Sequence, residues 1–114
     1  MSDWVRVALE KVPEGGSKGL EAVASDGSRH ALLAVRKNGR LYVYRNHCPH
    51  TGVNLEWMPD EFLDYERNYL QCAMHGALFA IEDGLCLRGP CLGRRLQTVP
   101  LARRDDGWYV DLAA

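Results

Sequence analysis

The chain has 114 residues, 46% of them hydrophobic. That suffices for one modest core and is too short for two ordinary domains, so a single domain spanning 1–114 is expected. With 14 basic and 15 acidic residues the formal net charge is -1, which supplies no global attraction toward nucleic acid or an anionic membrane surface. The first residues, MSDWVRVALE, lack a basic stretch leading into an apolar one, and no run of roughly 18 apolar residues occurs. A soluble, cytoplasmic protein is expected, with its four cysteines serving as reduced thiols or metal ligands rather than as two disulfides.

In chain order, strand-like runs recur between turn signals: residues 4–9 (WVRVAL), 30–36 (HALLAVR), 41–45 (LYVYR), 69–72 (YLQC), 78–81 (LFAI), 96–102 (LQTVPLA) and 108–112 (WYVDL). Between the first two lies PEGGSKGL (13–20), glycine-rich and polar, which reads as a surface loop. The Asn-Gly of KNGR (37–40) is the strongest hairpin signal in the chain, and the EDG of 82–84 and the DDG of 105–107 are further turns. Residues 54–69 carry Glu56, Asp60, Glu61, Asp64 and Glu66 and read as a loop with a short strand pair. The whole is expected to be all-β, built from antiparallel hairpins.

Two stretches stand apart. Cys48-Pro49-His50 is followed by Gly52, and Cys72-Ala73-Met74-His75 is followed by Gly76. Proline fixes its own φ and extends the residue before it, so Cys48 and His50 sit on a stiff loop tip. Gly76 can adopt φ > 0 and turn backbone N–H groups toward a buried anion. One thiolate and one imidazole on each of two loops make a four-ligand site. A mononuclear zinc site would be satisfied by the same donors, but its common spacing groups the two cysteines apart from the two histidines. Here each loop is mixed.

The pattern C-x-H followed by C-x2-H resembles that of the Rieske family, in CPHTG (48–52) and CAMHGALF (72–79) alike. The likeness continues through LFAIEDGLCLRGPCLG (78–93), similar to the family's strand, turn and Gly/Pro-rich loop that covers the cluster, with Gly89 and Pro90 as the cover. The resemblance implies stacked antiparallel sheets with a two-loop cluster-binding subdomain and one [2Fe–2S] cluster. It also implies that Cys48 and Cys72 bind one iron, and His50 and His75 the other. One departure is length, since 21 residues separate His50 from Cys72, more than in small ferredoxin-like members.

The resemblance also bears on potential. Members of the cytochrome bc type place a disulfide and two hydroxyl donors around the cluster, whereas this chain has Val53 and Met74 at the cysteine positions, Ala77 for the serine and Phe79 for the tyrosine. A cluster near the bottom of the histidine-ligated range, about -150 to +300 mV, is implied. The implied role is that of a ferredoxin carrying one electron between a flavin-dependent reductase and a terminal oxygenase or similar enzyme. No catalytic residue is assigned. A small Rieske-like subunit of a larger oxidoreductase such as nitrite reductase, and a structural zinc-binding module, are the alternatives.

Other residues invite two readings each. Cys86 and Cys91 could pair as a small disulfide near the covering loop, although small buried apolar groups are the simpler account. His47 is expected to point away from the site and His30 to open a strand as a surface or core-edge residue. Trp57 and Met58 could form a docking patch or pack in the core. The acidic run 56–66 could steer a basic partner but reads first as a solvated face, as do the arginines of GRRL (93–96) and ARRDD (102–106).

Overall fold

A computed structural model describes residues 2–47, 60, 62–64, 66–72 and 76–113. The chain order is β1 (Trp4–Val7), β2 (Ser17–Val23), β3 (Arg29–Lys37), β4 (Arg40–Arg45), β5 (Tyr69–Gln71), β6 (Leu78–Ala80), β7 (Cys86–Arg88), β8 (Leu101–Arg104) and β9 (Gly107–Asp111). They form three antiparallel three-stranded sheets, ordered β1-β9-β8, β2-β3-β4 and β5-β6-β7. There is no helix among the described residues. The all-β expectation holds.

β3 organises the molecule. Its centre, ALLAV, is apolar without alternation, the pattern of a strand buried on both faces. Leu33 and Val35 face a core shared with Tyr44, Phe62, Leu70, Phe79, Ile81 and Leu96. Leu32 and Ala34 face a second core with Val7, Leu9, Val43, Val99 and Val110. The register keeps the two sets apart, because Leu33 lies opposite Tyr44 and Ala34 opposite Val43, each pair on one face. The sheet β2-β3-β4 is thus the shared wall between two cores. Each large side chain wholly removed from water contributes about 1.5–3 kcal/mol.

The hairpin signal at 37–40 is realised as a two-residue turn between Lys37 and Arg40. Asn38 and Gly39 both take positive φ, 53° and 77°, as the I′ turn matched to strand twist requires. The Glu14 carboxylate accepts the N–H groups of both residues at 2.7 Å. Arg104 and Gly107 close the second predicted hairpin.

Two expectations need correction. The loop assigned to 13–20 ends at Gly16, and from Ser17 the chain is the edge strand β2, paired with β3 from Ser17 opposite Val35 to Val23 opposite Arg29. Its composition hides it, since Ala22 is its only buried residue and backbone pairing rather than side-chain pattern makes the strand. The strand expected over 96–102 begins only at Leu101. Before it, residues 96–100 cross β4 through bonds from Arg45 N–H to the Gln97 carbonyl (2.9 Å) and from Val99 N–H to the Val43 carbonyl (3.0 Å). Pro100, with no N–H to donate, interrupts the ladder there.

Candidate metal centre

Of the four expected ligands, Cys72 falls within the described residues; Cys48, His50 and His75 lie outside them, as do Val53, Trp57, Met58 and Met74. The elements that carry the ligand loops are nevertheless on view. β4 ends at Arg45, after which Asn46 is buried and its N–H donates to the Ala31 carbonyl at 2.9 Å. His47 is exposed. The chain therefore approaches Cys48 from the end of a strand anchored in the shared wall.

The second ligand loop sits on the β5–β6 hairpin, where Gln71 pairs with Leu78. Cys72 N–H donates to the Ala77 carbonyl at 2.9 Å, and Gly76 N–H donates to the Cys72 carbonyl at 3.0 Å, which closes the loop on itself. The Cys72 side chain is 1% exposed and belongs to the core that also holds Leu70, Ala77 and Phe79. An apolar seat of this kind shields a metal–thiolate bond from water and lowers the local dielectric around it.

The third wall is the loop after β7. Gly89, at φ 107°, lies so close to Ala77 that a Cβ added there would stand 2.9 Å from both the Cα and the Cβ of Ala77. Only glycine allows the loop to come down on the second ligand loop at this point. Gly89 and Pro90 are themselves exposed, so they cap the region from outside.

Sequence reasoning missed Tyr44. From β4, four residues before Cys48, its hydroxyl donates to the Ile81 carbonyl at 2.5 Å, tying the strand that leads to the first ligand loop to the end of β6, which follows the second. Burial, reinforced by the nearby charges of Asp83, Tyr42 and Glu82, pushes the phenol well above its ordinary range and keeps it a neutral donor. No motif marks it; the available signal is that a tyrosine buried in a core strand needs a partner for its hydroxyl.

The acidic segment is partly structural. Asp60, at φ 65°, accepts Gly19 N–H on its carboxylate at 2.8 Å and Ser17 Oγ–H on its carbonyl at 2.8 Å. Asp64 Oδ1 accepts the N–H groups of Asn68 (2.8 Å) and Tyr69 (3.0 Å) and shapes the turn into β5. Of the segment 54–69, in which a short strand pair is expected, residues 54–59, 61 and 65 lie outside the described residues, and among the described ones Leu63 forms an isolated antiparallel bridge with Leu70. Glu56 and Glu61 lie outside the described residues. His30 sits half-buried in β3, between Ser28 Oγ at Nε2 (2.9 Å) and the Arg45 guanidinium at Nδ1 (2.5 Å), in a structural setting.

The family model of the Rieske [2Fe-2S] domain matches residues 3–100. The chain belongs to the Rieske family. Its similarity to solved structures follows that assignment. It superposes on a chain of the oxygenase and ferredoxin complex of carbazole 1,9a-dioxygenase with a TM-score of 0.73 at 25% identity, covering 96% of this chain and 28% of that one. On the ferredoxin of carbazole 1,9a-dioxygenase from Nocardioides aromaticivorans IC177 the TM-score is 0.70 at 21% identity, covering 96% of this chain and 97% of that one. A curated relative, cholesterol 7-desaturase of Caenorhabditis elegans, is 30% identical over 84 residues. This Rieske chain spans 19% of that relative's length.

A Rieske domain carries a [2Fe–2S] cluster, and the residues at hand fit one. Two cysteines and two histidines are the donor set that such a cluster takes. The one expected ligand on view, Cys72, is buried at the head of a hydrogen-bonded loop whose other end, Ala77, is approached by Gly89. Among the described residues no other group of three or more His, Cys, Asp or Glu side chains is placed to hold a metal ion.

Proposed function

We propose that the chain is a Rieske-type ferredoxin, one domain over residues 1–114, that receives an electron from a flavin-dependent reductase and delivers it to a terminal oxygenase in the cytoplasm. The observation that carries this reading is the end-to-end correspondence with a dioxygenase ferredoxin, of which 97% is covered, against 28% of the chain in the oxygenase–ferredoxin complex. Cys48 and Cys72 would hold one iron, and His50 and His75 the other. The bound cluster supplies a one-electron couple.

The chain's own residues set the conditions for that couple. Cys72 and Ala77 are bonded at the base of the second loop, Gly89 bears on Ala77, and Tyr44 ties β4 to the end of β6. Ala77 and Phe79, both buried, offer no hydroxyl to a cluster sulfur. Fewer hydrogen bonds to sulfur leave the reduced, more negative state less stabilised, which supports a potential near the low end of the range of about -150 to +300 mV.

Absorption and low-temperature EPR spectra of protein produced with iron and sulfide available, before and after dithionite, test the reading. A brown protein with a rhombic signal on reduction supports it, and replacing His75 by Cys should then convert the spectrum toward that of an all-cysteine cluster. A colourless, EPR-silent protein holding one zinc per chain would overturn it. A loaded chain that co-purifies stably with a large enzyme subunit would show it to be a resident subunit rather than a diffusing carrier.

A further inference from the structure

Two cysteines are left unused by the cluster. Cys86 opens β7 and Cys91 follows the covering glycine and proline; both side chains are 1% exposed, and both belong to the core that seats Cys72. Their sulfurs lie 2.8 Å apart, with the Cys91 thiol donating to Cys86 Sγ and the Cys86 thiol donating to the Arg88 carbonyl at 3.3 Å. A disulfide needs the sulfurs at about 2.03–2.05 Å, so bond formation calls for an approach of only about 0.8 Å.

The backbone holds that arrangement without help from the sulfurs. Cys86 N–H donates to the Arg94 carbonyl at 2.7 Å, Gly93 N–H to the Cys86 carbonyl at 3.2 Å, and Arg94 N–H to the Cys91 carbonyl at 2.8 Å. The two cysteines therefore face each other across the neck of the loop 87–90, whose tip, Gly89, bears on Ala77. A metal reading does not fit the pair, because among the described residues no third donor joins it. The chain around the pair is at the surface, since the neighbouring residues Leu87, Arg88, Pro90 and Leu92 are exposed, Leu92 at 68%.

We propose that Cys86 and Cys91 are a reversible dithiol–disulfide pair that staples the covering loop shut when oxidised. The oxidant is a low-molecular-weight disulfide. One protein thiolate attacks it, forming a mixed disulfide and releasing the first small thiol. The second protein thiolate attacks the mixed disulfide at the protein sulfur and releases the other small thiol. The protein S–S bond forms as the small-molecule S–S bond is lost, and the two electrons and two protons leave on the two small thiols. In a reducing compartment the pair rests as thiols, and a bridge forms when the thiol pool turns oxidising, the pattern of redox-sensing rather than structural cysteines.

The test uses cluster-loaded protein equilibrated in glutathione buffers from fully reduced to fully oxidised, quenched by alkylation and digested by trypsin together with a protease that cleaves before aspartate. Cleavage after Arg88 separates the two cysteines, and cleavage before Asp83 separates both from Cys72. The expected result is a cross-linked pair of peptides, 83–88 with 89–94, that replaces the two alkylated peptides as the buffer becomes oxidising and reverts on reduction, with the visible spectrum unchanged. Cys91→Ser should leave Cys86 holding glutathione as a stable mixed disulfide. Peptides that stay alkylated across all buffers, or an unmodified chain that stops at a glutathione adduct, would overturn the proposal. The spectrum reports the cluster and the peptide masses report the pair, so a failure of the electron-carrier reading and a failure of this one are told apart.

Discussion

Single side chains decide how the ligand loops are held. Tyr44 joins β4 to the end of β6 through one hydrogen bond. Tyr44→Phe should cost about 1 kcal/mol in denaturant unfolding, the net worth of such a bond, with the Ile81 carbonyl left short of a donor. The variant also changes the response to alkali. A tyrosine ionises near pH 10 in the unfolded chain, but burial holds the Tyr44 phenol neutral well beyond that in the fold. Its contribution is therefore full below pH 10 and is lost as pH rises above it, through the window between the two values. Unfolding curves collected from pH 8 to pH 11 should fall more steeply for the unmodified chain than for Tyr44→Phe. At Gly89 both the positive φ and the approach to Ala77 exclude a side chain. Gly89→Ala should lower stability by about 1–3 kcal/mol, read from the same curves, through strain and crowding. The Rieske domain was legible because mixed Cys/His spacing is a chemical pattern written in adjacent letters. Tyr44 was not, because its partner is a backbone carbonyl 37 residues away that no local spacing reveals.

The elements were read where pattern and partner agree. The Asn-Gly turn announced the β3–β4 hairpin because positive φ at both positions is written in the residue types themselves. β2 escaped because SKGLEAV has neither alternation nor a continuous apolar run; what makes it a strand is the row of β3 backbone groups beside it. Asp60 helps to fix that edge, reaching from the acidic segment to Gly19 N–H while sitting in the left-handed region itself. Asp60→Ala should lose the hydrogen bond and strain the backbone together, about 1–2 kcal/mol in thermal or chemical unfolding. Asp60→Asn, which keeps an acceptor and tolerates that φ, should stay close to the unmodified chain. Acidity that suggested steering thus serves, at Asp60 and Asp64, to satisfy backbone donors.

At the scale of the molecule, the two cores share one wall. Leu32 and Leu33 are adjacent in sequence, both without solvent exposure, and belong to opposite cores. Leu33→Ala and Leu32→Ala should each cost about 2–5 kcal/mol, one beside the cluster seat and one remote from it. Because both act through β3, each variant should show a single transition, with backbone circular dichroism and the visible absorbance of the loaded protein lost at the same denaturant concentration. Two separated transitions in Leu32→Ala would show the cores to be independent. The apolar run at 30–36 read only as a strand; that it is buried on both faces, and which neighbours lie on which face, depends on the three-sheet arrangement, a property of contacts far apart in the chain.

The shared wall also governs what a protein engineer could carry away. A fragment cut from residues 40 to 96 would contain every expected ligand and all of β4 through β7, and it would look like a portable redox cassette. It would leave behind Leu33 and Val35, which pack in the core that holds Cys72, and those two residues are held in place by a strand whose other side is committed elsewhere. The smallest transplantable unit is set by β3's second face, so moving the electron site to a new host means moving the distant half of the fold with it.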